Sequence, residues 1–212
     1  MRTYIWSIPT RVFHWLLFFG FLFAYFSGDF KHLKNIHYAF GAFAGTLILF
    51  RFIFGFVGPK YSHFKDFPIG FRHQYAFLLH PFSKDRRYAG HNPLAALVML
   101  LILVDGLITG LTGIMVYLAL HPVSGLAMNA DSLVRWHKIS ANLLMWLFSF
   151  HLLGVLVEMT FRSKTGAFVS IFTGYKNLSA EDCRLTPFQK VYSIFWLILP
   201  FVAFYLAYGL PV

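Results

Sequence analysis

The sequence predicts an all-α integral membrane protein: a helical bundle with a four-helix core and a fifth, C-terminal transmembrane helix. Three observations predict it. Hydrophobic residues make up 58% of the 212 and charged residues only 12%, a balance outside the range of soluble domains. The mean hydropathy is +0.63. Five apolar runs, at residues 12–27, 35–57, 94–120, 133–161 and 191–208, approach or exceed the roughly 20 helical residues that cross a bilayer's hydrocarbon core.

The first run resembles a signal peptide in position, but Tyr25-Phe26-Ser27 makes a poor small-residue cleavage site, so the segment is expected to be retained. Tyr4, Ile5, Trp6 and Ile8 are expected to continue its apolar surface. The second run returns across the bilayer. Between it and the third, the apolar stretch 69–82 carries Arg72, His73 and His80 and is expected to lie along the membrane surface. The third run opens on Asn92-Pro93, a side-chain cap followed by a first-turn proline; His91 before them, at the cytoplasmic side, is the competing candidate ligand but is expected to have a capping and loop role, and His121, before Pro122, is expected at the surface. The fourth run is the longest. The fifth follows a charged connection holding the single cysteine, Cys183, which excludes an internal disulfide. The expected division is a core at 1–178 and a connection plus fifth helix at 179–212.

Of the 18 Lys and Arg residues, 14 flank one side of this topology and four (Lys31, Lys34, Arg135, Lys138) the other. The positive-inside rule then puts the amino terminus of this multi-pass membrane protein in the cytoplasm. The net charge of +10 would suggest nucleic acid in a soluble protein. Here the loop bias and anionic lipid headgroups account for it, so membrane lipid is the expected partner and nucleic acid is not.

Two histidines in the fourth run, His137 and His151, are 14 residues apart. At about 100° and 1.5 Å per residue, 14 steps fall about 40° short of four turns, so both rings share one face about 21 Å apart. Helix direction supplies each with a partner at its own depth: His14 for His151 near the cytoplasmic side, and His37 for His137 near the outer side. Ionisable residues inside spans are costly and normally functional, and imidazole is an axial ligand of haem iron. The expected cofactors are two haems, each bound non-covalently through two histidines. No C-x-x-C-H occurs to attach haem covalently. The alternative is four polar residues satisfied by water and headgroups at helix ends.

Arg51 lies 14 residues after His37 and so shares its face. With Arg11 it is a candidate to neutralise haem propionates, the alternative being that both snorkel to the cytoplasmic interface. Gly41, Ala44 and Gly45 on that face leave room for flat rings or serve a close helix contact. Phe148 falls between the two levels.

The strings Trp6-x-x-Pro9-Thr10-Arg11-x-Phe13-His14-Trp15, Phe50-Arg51-x-x-x-Gly55-Phe56-x-Gly58, Gly90-His91-Asn92-Pro93 and Trp136-His137-x-x-x-Ala141-Asn142 resemble the bacterial cytochrome b561 family. Tyr61 and Phe64, and the string His151-x-x-Gly154-Val155, extend the likeness over residues 6–176. Its relatives include the b-type cytochrome subunit of nickel-iron hydrogenases. The resemblance implies a four-helix core holding two b-type haems in the bacterial inner membrane, quinone as the membrane substrate and a partner redox protein. The fifth helix departs from that core.

Two protein imidazoles leave an iron no free position, which suits electron transfer rather than oxygen binding. The expected function is electron transfer between the membrane quinone pool and a periplasmic redox protein, such as a hydrogenase or c-type cytochrome. A self-sufficient superoxide to quinone oxidoreductase is the second expectation, with Lys31, Lys34, Arg135 and Lys138 steering the anion. A haem-free anchor or transporter is the third. Quinone chemistry moves protons, and Glu158 and Asp105 are the candidate acids, Glu158 otherwise pairing with Arg162.

Overall fold

The chain is seen here in a computed structural model, which describes residues 1–79, 88–121, 129–161 and 166–211. Seven α-helices are described: α1 (Ile8–Ser27), α2 (Lys34–Val57), α3 (Phe71–Leu79), α4 (Pro93–Leu120), α5 (Ala130–Phe161), α6 (Ala167–Thr173) and α7 (Pro187–Tyr208). Of these, α1, α2, α4, α5 and α7 are long and apolar enough to cross a membrane. Each ends at the residue where its apolar run ends but starts earlier. The added starts of α1, α4 and α7 are set by side-chain caps, which hydropathy does not register. Ser7 caps α1, Asn92 caps α4 by accepting from the Ala95 N–H at 2.8 Å, and Thr186 and Gln189 form a reciprocal capping box on α7. A proline stands in the first turn of all three.

The second helix is the hub. It packs against α1, α4 and α7, while α5 lies along α4. Buried Phe13, Phe43, Leu47, Phe50 and Phe54 fill the junction of α1, α2 and α7, with Tyr192, Trp196 and Phe204 against them. The fifth span is fixed to α2 at both ends: Gln189 Nε2 donates to the Val57 carbonyl at 2.8 Å, and Asn35 Nδ2 to the Tyr208 carbonyl at 2.9 Å. It thus sits on the side of α2 away from α5. By contrast, α5 meets α1 and α2 chiefly through side chains, such as Tyr25 Oη donating to Asn142 Oδ1 at 2.8 Å.

The end of the bundle where α1 begins, called proximal here, carries a small cap. Residues expected to prolong α1 instead form β1 (Thr3–Tyr4), paired antiparallel with β2 (Tyr175–Lys176). Ile5 and Trp6 turn inward to pack with Tyr61, Leu178 and Cys183. Gly174 closes the turn into β2 at φ +88°, where an added Cβ would lie 2.5 Å from the Tyr4 ring, so only glycine is at ease there. Burial pushes the Cys183 thiol up to about 11, leaving it inert at neutral pH. The short α3 occupies part of the stretch expected at the membrane surface, with Arg72 and His73 exposed; His80 lies outside the described residues.

Candidate cofactor sites between the helices

Because α5 runs opposite to α1 and in the same direction as α2, the four histidines meet in two pairs. His14 of α1 faces His151 of α5 at the proximal end, with ring centroids 6.2 Å apart, and His37 of α2 faces His137 of α5 at the distal end, 6.0 Å apart. A metal ion about 2 Å from a nitrogen of each ring places the two ring centres about 6 Å apart. Each pair therefore spans one metal-sized gap. Among the described residues no group of three His, Cys, Asp or Glu side chains converges, so any further ligands would have to arrive with the metal, as porphyrin nitrogens do.

The distal pair is oriented by the backbone. His37 Nδ1 lies 2.8 Å from the Ala24 carbonyl, and His137 Nδ1 lies 3.1 Å from the Thr109 carbonyl and 3.2 Å from Thr112 Oγ1. An imidazole that donates from Nδ1 keeps its Nε2 lone pair free for a metal. Two glycines admit these rings: a Cβ at Gly28 would lie 3.2 Å from the His37 ring, and one at Gly113 would lie 3.1 Å from His137 Cε1. Neither glycine was recognisable from the sequence, since each serves a histidine on another helix.

The three small residues of α2 divide. A Cβ added at Gly41 or Gly45 would meet nothing within 4 Å, so both face open space beside the histidine ladder. Ala44 is buried beside Gly20 of α1 and makes a helix contact instead. Phe148 lies between the two levels, stacked among Phe18 at 5.6 Å and Phe21 at 5.7 Å.

Arg51 is only 3% exposed, so it does not snorkel. Its guanidinium lies 5.3 Å from the Phe64 ring and 5.8 Å from Phe67, and Nη1 is buried without a hydrogen-bond partner. Arg11 donates through Nη1 to the Phe172 carbonyl, while its Nε and the Nδ1 of His14 are also buried and unpartnered. The proximal end thus presents several unsatisfied polar groups, an expensive arrangement that an anion would relieve.

Two residues here have surroundings that the sequence does not reveal: His91, expected in a capping and loop role, and Lys176, which it does not single out. Asn92 alone caps α4, and His91 is held between the rings of Trp6 and Phe67, 4.9 Å from each, with Nδ1 buried and unpartnered. Burial, then the charges of Arg51 and Lys176, hold this imidazole well below the usual range, hence neutral at pH 7. Lys176 is buried in the cap and donates to the Gly90 carbonyl at 2.7 Å and the Tyr88 carbonyl at 3.3 Å. Burial outweighs the favourable charge of Glu158 and pushes Lys176 down to about 8. Between about pH 8 and the ordinary lysine value near 10.4, the unfolded chain binds a proton that the folded chain does not, so this group makes stability rise with pH across that window. Thermal unfolding in detergent at steps from pH 7.5 to 10.5 should show that rise, and Lys176→Met should flatten it.

Of the two acids, Asp105 is buried on α4. Its Oδ1 accepts from Ser140 Oγ at 2.9 Å, and Oδ2 has no partner. Ser140 and Thr109 hydroxyls are 2.6 Å apart, which links this acid to the helix turn that receives His137. Glu158 is half-buried; Arg162, its expected partner, lies outside the described residues. The His121 ring stacks on Tyr117 at the end of α4, 4.5 Å away. Lys31, Lys34, Arg135 and Lys138 are all exposed at the distal end.

Residues 5–174 match a family model described as prokaryotic cytochrome b561. Searches of curated proteins and of solved structures find no match.

Proposed function

Since the chain belongs to the prokaryotic cytochrome b561 family, which carries electrons across membranes on b-type haem, we propose that it holds two such haems and passes electrons between the quinone pool and a periplasmic redox protein. The observation that carries this reading is the pair of imidazole gaps, 6.2 Å and 6.0 Å between ring centres. In it, His14 and His151 ligate one iron and His37 and His137 the other, while Gly41 and Gly45 leave room for the flat rings. Haem supplies an iron that gains or loses one electron, and bis-histidine ligation closes it to oxygen.

The chain's own residues set the rest. The Ala24 and Thr109 carbonyls hold the distal rings in one tautomer. Arg51 and Arg11 balance the carboxylates of the proximal haem. Phe148, Phe18 and Phe21 fill the space between the levels and exclude water. The cation bias of the connections favours a cytoplasmic amino terminus, which makes the proximal end the inner one. Residues 1–178 form the electron-carrying unit, and 179–212 brace it from the far side of α2.

A reduced-minus-oxidised spectrum with haem quantitation on the purified chain tests this. Two haems per chain are expected, and a colourless protein from haem-replete cells would refute the reading. In the same preparation, Arg51→Leu should lower the proximal midpoint potential, because removing a nearby positive charge disfavours the added electron. The expected shift is on the order of 70 mV, as charges about 10 Å apart at an effective dielectric near 20 interact by about 1.7 kcal/mol, and about 1.36 kcal/mol is about 59 mV for one electron. The distal potential should stay in place.

The four exposed distal cations favour a second reading, direct oxidation of superoxide with quinone as acceptor. It requires quinone reduction by superoxide without any protein partner, at a rate that falls steeply with ionic strength. Salt-independent rates would discard it.

A further inference from the structure

Among the described residues, Arg11 Nε, His14 Nδ1, Arg51 Nη1 and His91 Nδ1 are buried at the proximal end without hydrogen-bond partners. The first three belong to residues already placed in the haem reading. His91 does not, and its surroundings are built rather than incidental. The Trp6 and Phe67 rings clamp it from opposite elements of the cap and the α2–α3 connection. Lys176 Nζ, lying 5.5 Å from the Trp6 ring, ties down the carbonyls of Gly90 and Tyr88 and so fixes the turn on which His91 stands. Phe67 is shared with Arg51, whose guanidinium lies 5.8 Å from its ring.

We infer that the Gly90-His91-Asn92-Pro93 turn, locked by Lys176, presents His91 as a second hydrogen-bond donor beside Arg51 to carboxylate buried at the proximal end, the propionate edge of the haem held there. This rests on the haem reading above. A guanidinium that is 97% buried demands a negative charge, because an uncompensated buried ion costs several kcal/mol. A neutral quinone carbonyl could accept from His91 but would leave that charge unbalanced. Lys176 does not compete for the anion, since its ammonium is spent on the Gly90 and Tyr88 carbonyls. The neutral His91 ring offers one N–H, which strengthens the cradle without adding a further charge to be buried.

The test uses the haem-loaded full chain in detergent. His91→Phe keeps the ring packing between Trp6 and Phe67 and removes the donor, whereas His91→Asn places an amide N–H near the position of Nδ1. Hydrogen bonds to charged groups contribute about 1.5–3 kcal/mol, so His91→Phe should release the proximal haem to a haem scavenger roughly tenfold faster or more, with a lowered proximal potential and the distal haem unmoved. His91→Asn should restore most of both. The wild-type chain reconstituted with haem dimethyl ester, whose carboxylates are blocked, should lose the proximal haem at least as fast as His91→Phe does, because the ester forfeits Arg51 and Arg11 as well, and with the ester bound His91→Phe should release it no faster than wild type. Both haems retained with an unchanged proximal release rate in His91→Phe would overturn the inference while leaving the haem reading intact. So would equal effects of Phe and Asn, or a change confined to quinone-site inhibitor binding. If His91→Phe does not fold, the ester in wild type and in His91→Asn decides alone: unaltered release of the ester overturns the inference.

Discussion

His137→Ala should leave a protein with one haem, the proximal one, and His151→Ala a protein with one haem, the distal one. The two variants should be spectroscopic complements whose sum resembles the wild type. Each substitution removes one wall of a gap about 6 Å wide between ring centres and leaves the other pair, some four helical turns away, untouched. Loss of either ring opens a coordination position, so residual haem at the damaged level should become high-spin and able to bind carbon monoxide, which the intact sites exclude. His37→Ala should match His137→Ala, and His14→Ala should match His151→Ala. Haem quantitation, potentiometry and carbon monoxide difference spectra read all four. Loss of the same haem from His137→Ala and His151→Ala would refute the pairing.

The sequence carried the spans and the depth matching of the histidines because both follow from helix periodicity and alternating direction, which need no tertiary knowledge. All five long helices end where their apolar runs end, and the rings that direction alone brings to one depth do meet. What stayed hidden depends on contacts between distant parts of the chain. The two-residue strands pair Thr3 with Lys176, far too short a pattern to show in hydrophobic alternation. The helix α6, seven residues long, lacks the length for a periodic signal. His91 read as a loop residue because Asn92 and Pro93 account for the helix start by themselves, and only the cap that Trp6 and Lys176 build makes its ring a held one. Arg51 could be placed on the right face but not at its burial, which depends on Phe64 and Phe67 closing over it from the following connection.

Gly113→Leu should remove the distal haem almost as completely as removing a ligand, although residue 113 touches no metal in the proposed site. The Cβ alone would stand 3.1 Å from His137 Cε1, 3.5 Å from Nδ1 and 3.8 Å from Nε2, so alanine forces the ring to yield by a few tenths of an ångström. That displacement works against the 3.1 Å contact from Nδ1 to the Thr109 carbonyl, which sets the ring's tautomer and direction. Alanine is therefore expected to keep both haems while shifting the distal potential and broadening its low-spin signature. Leucine adds three carbons in the same direction, and the ring cannot retreat that far and still face His37. Because leucine and alanine both favour helix over glycine by roughly 1 kcal/mol, α4 itself should be no less stable in either variant. Thr112→Val removes one weaker contact to the same nitrogen while the Thr109 carbonyl remains, and should change the distal potential only slightly. A graded loss from Thr112→Val through Gly113→Ala to Gly113→Leu, confined to the distal haem, is the expected pattern. Full retention of distal haem in Gly113→Leu would mean that His137 does not hold it in this orientation.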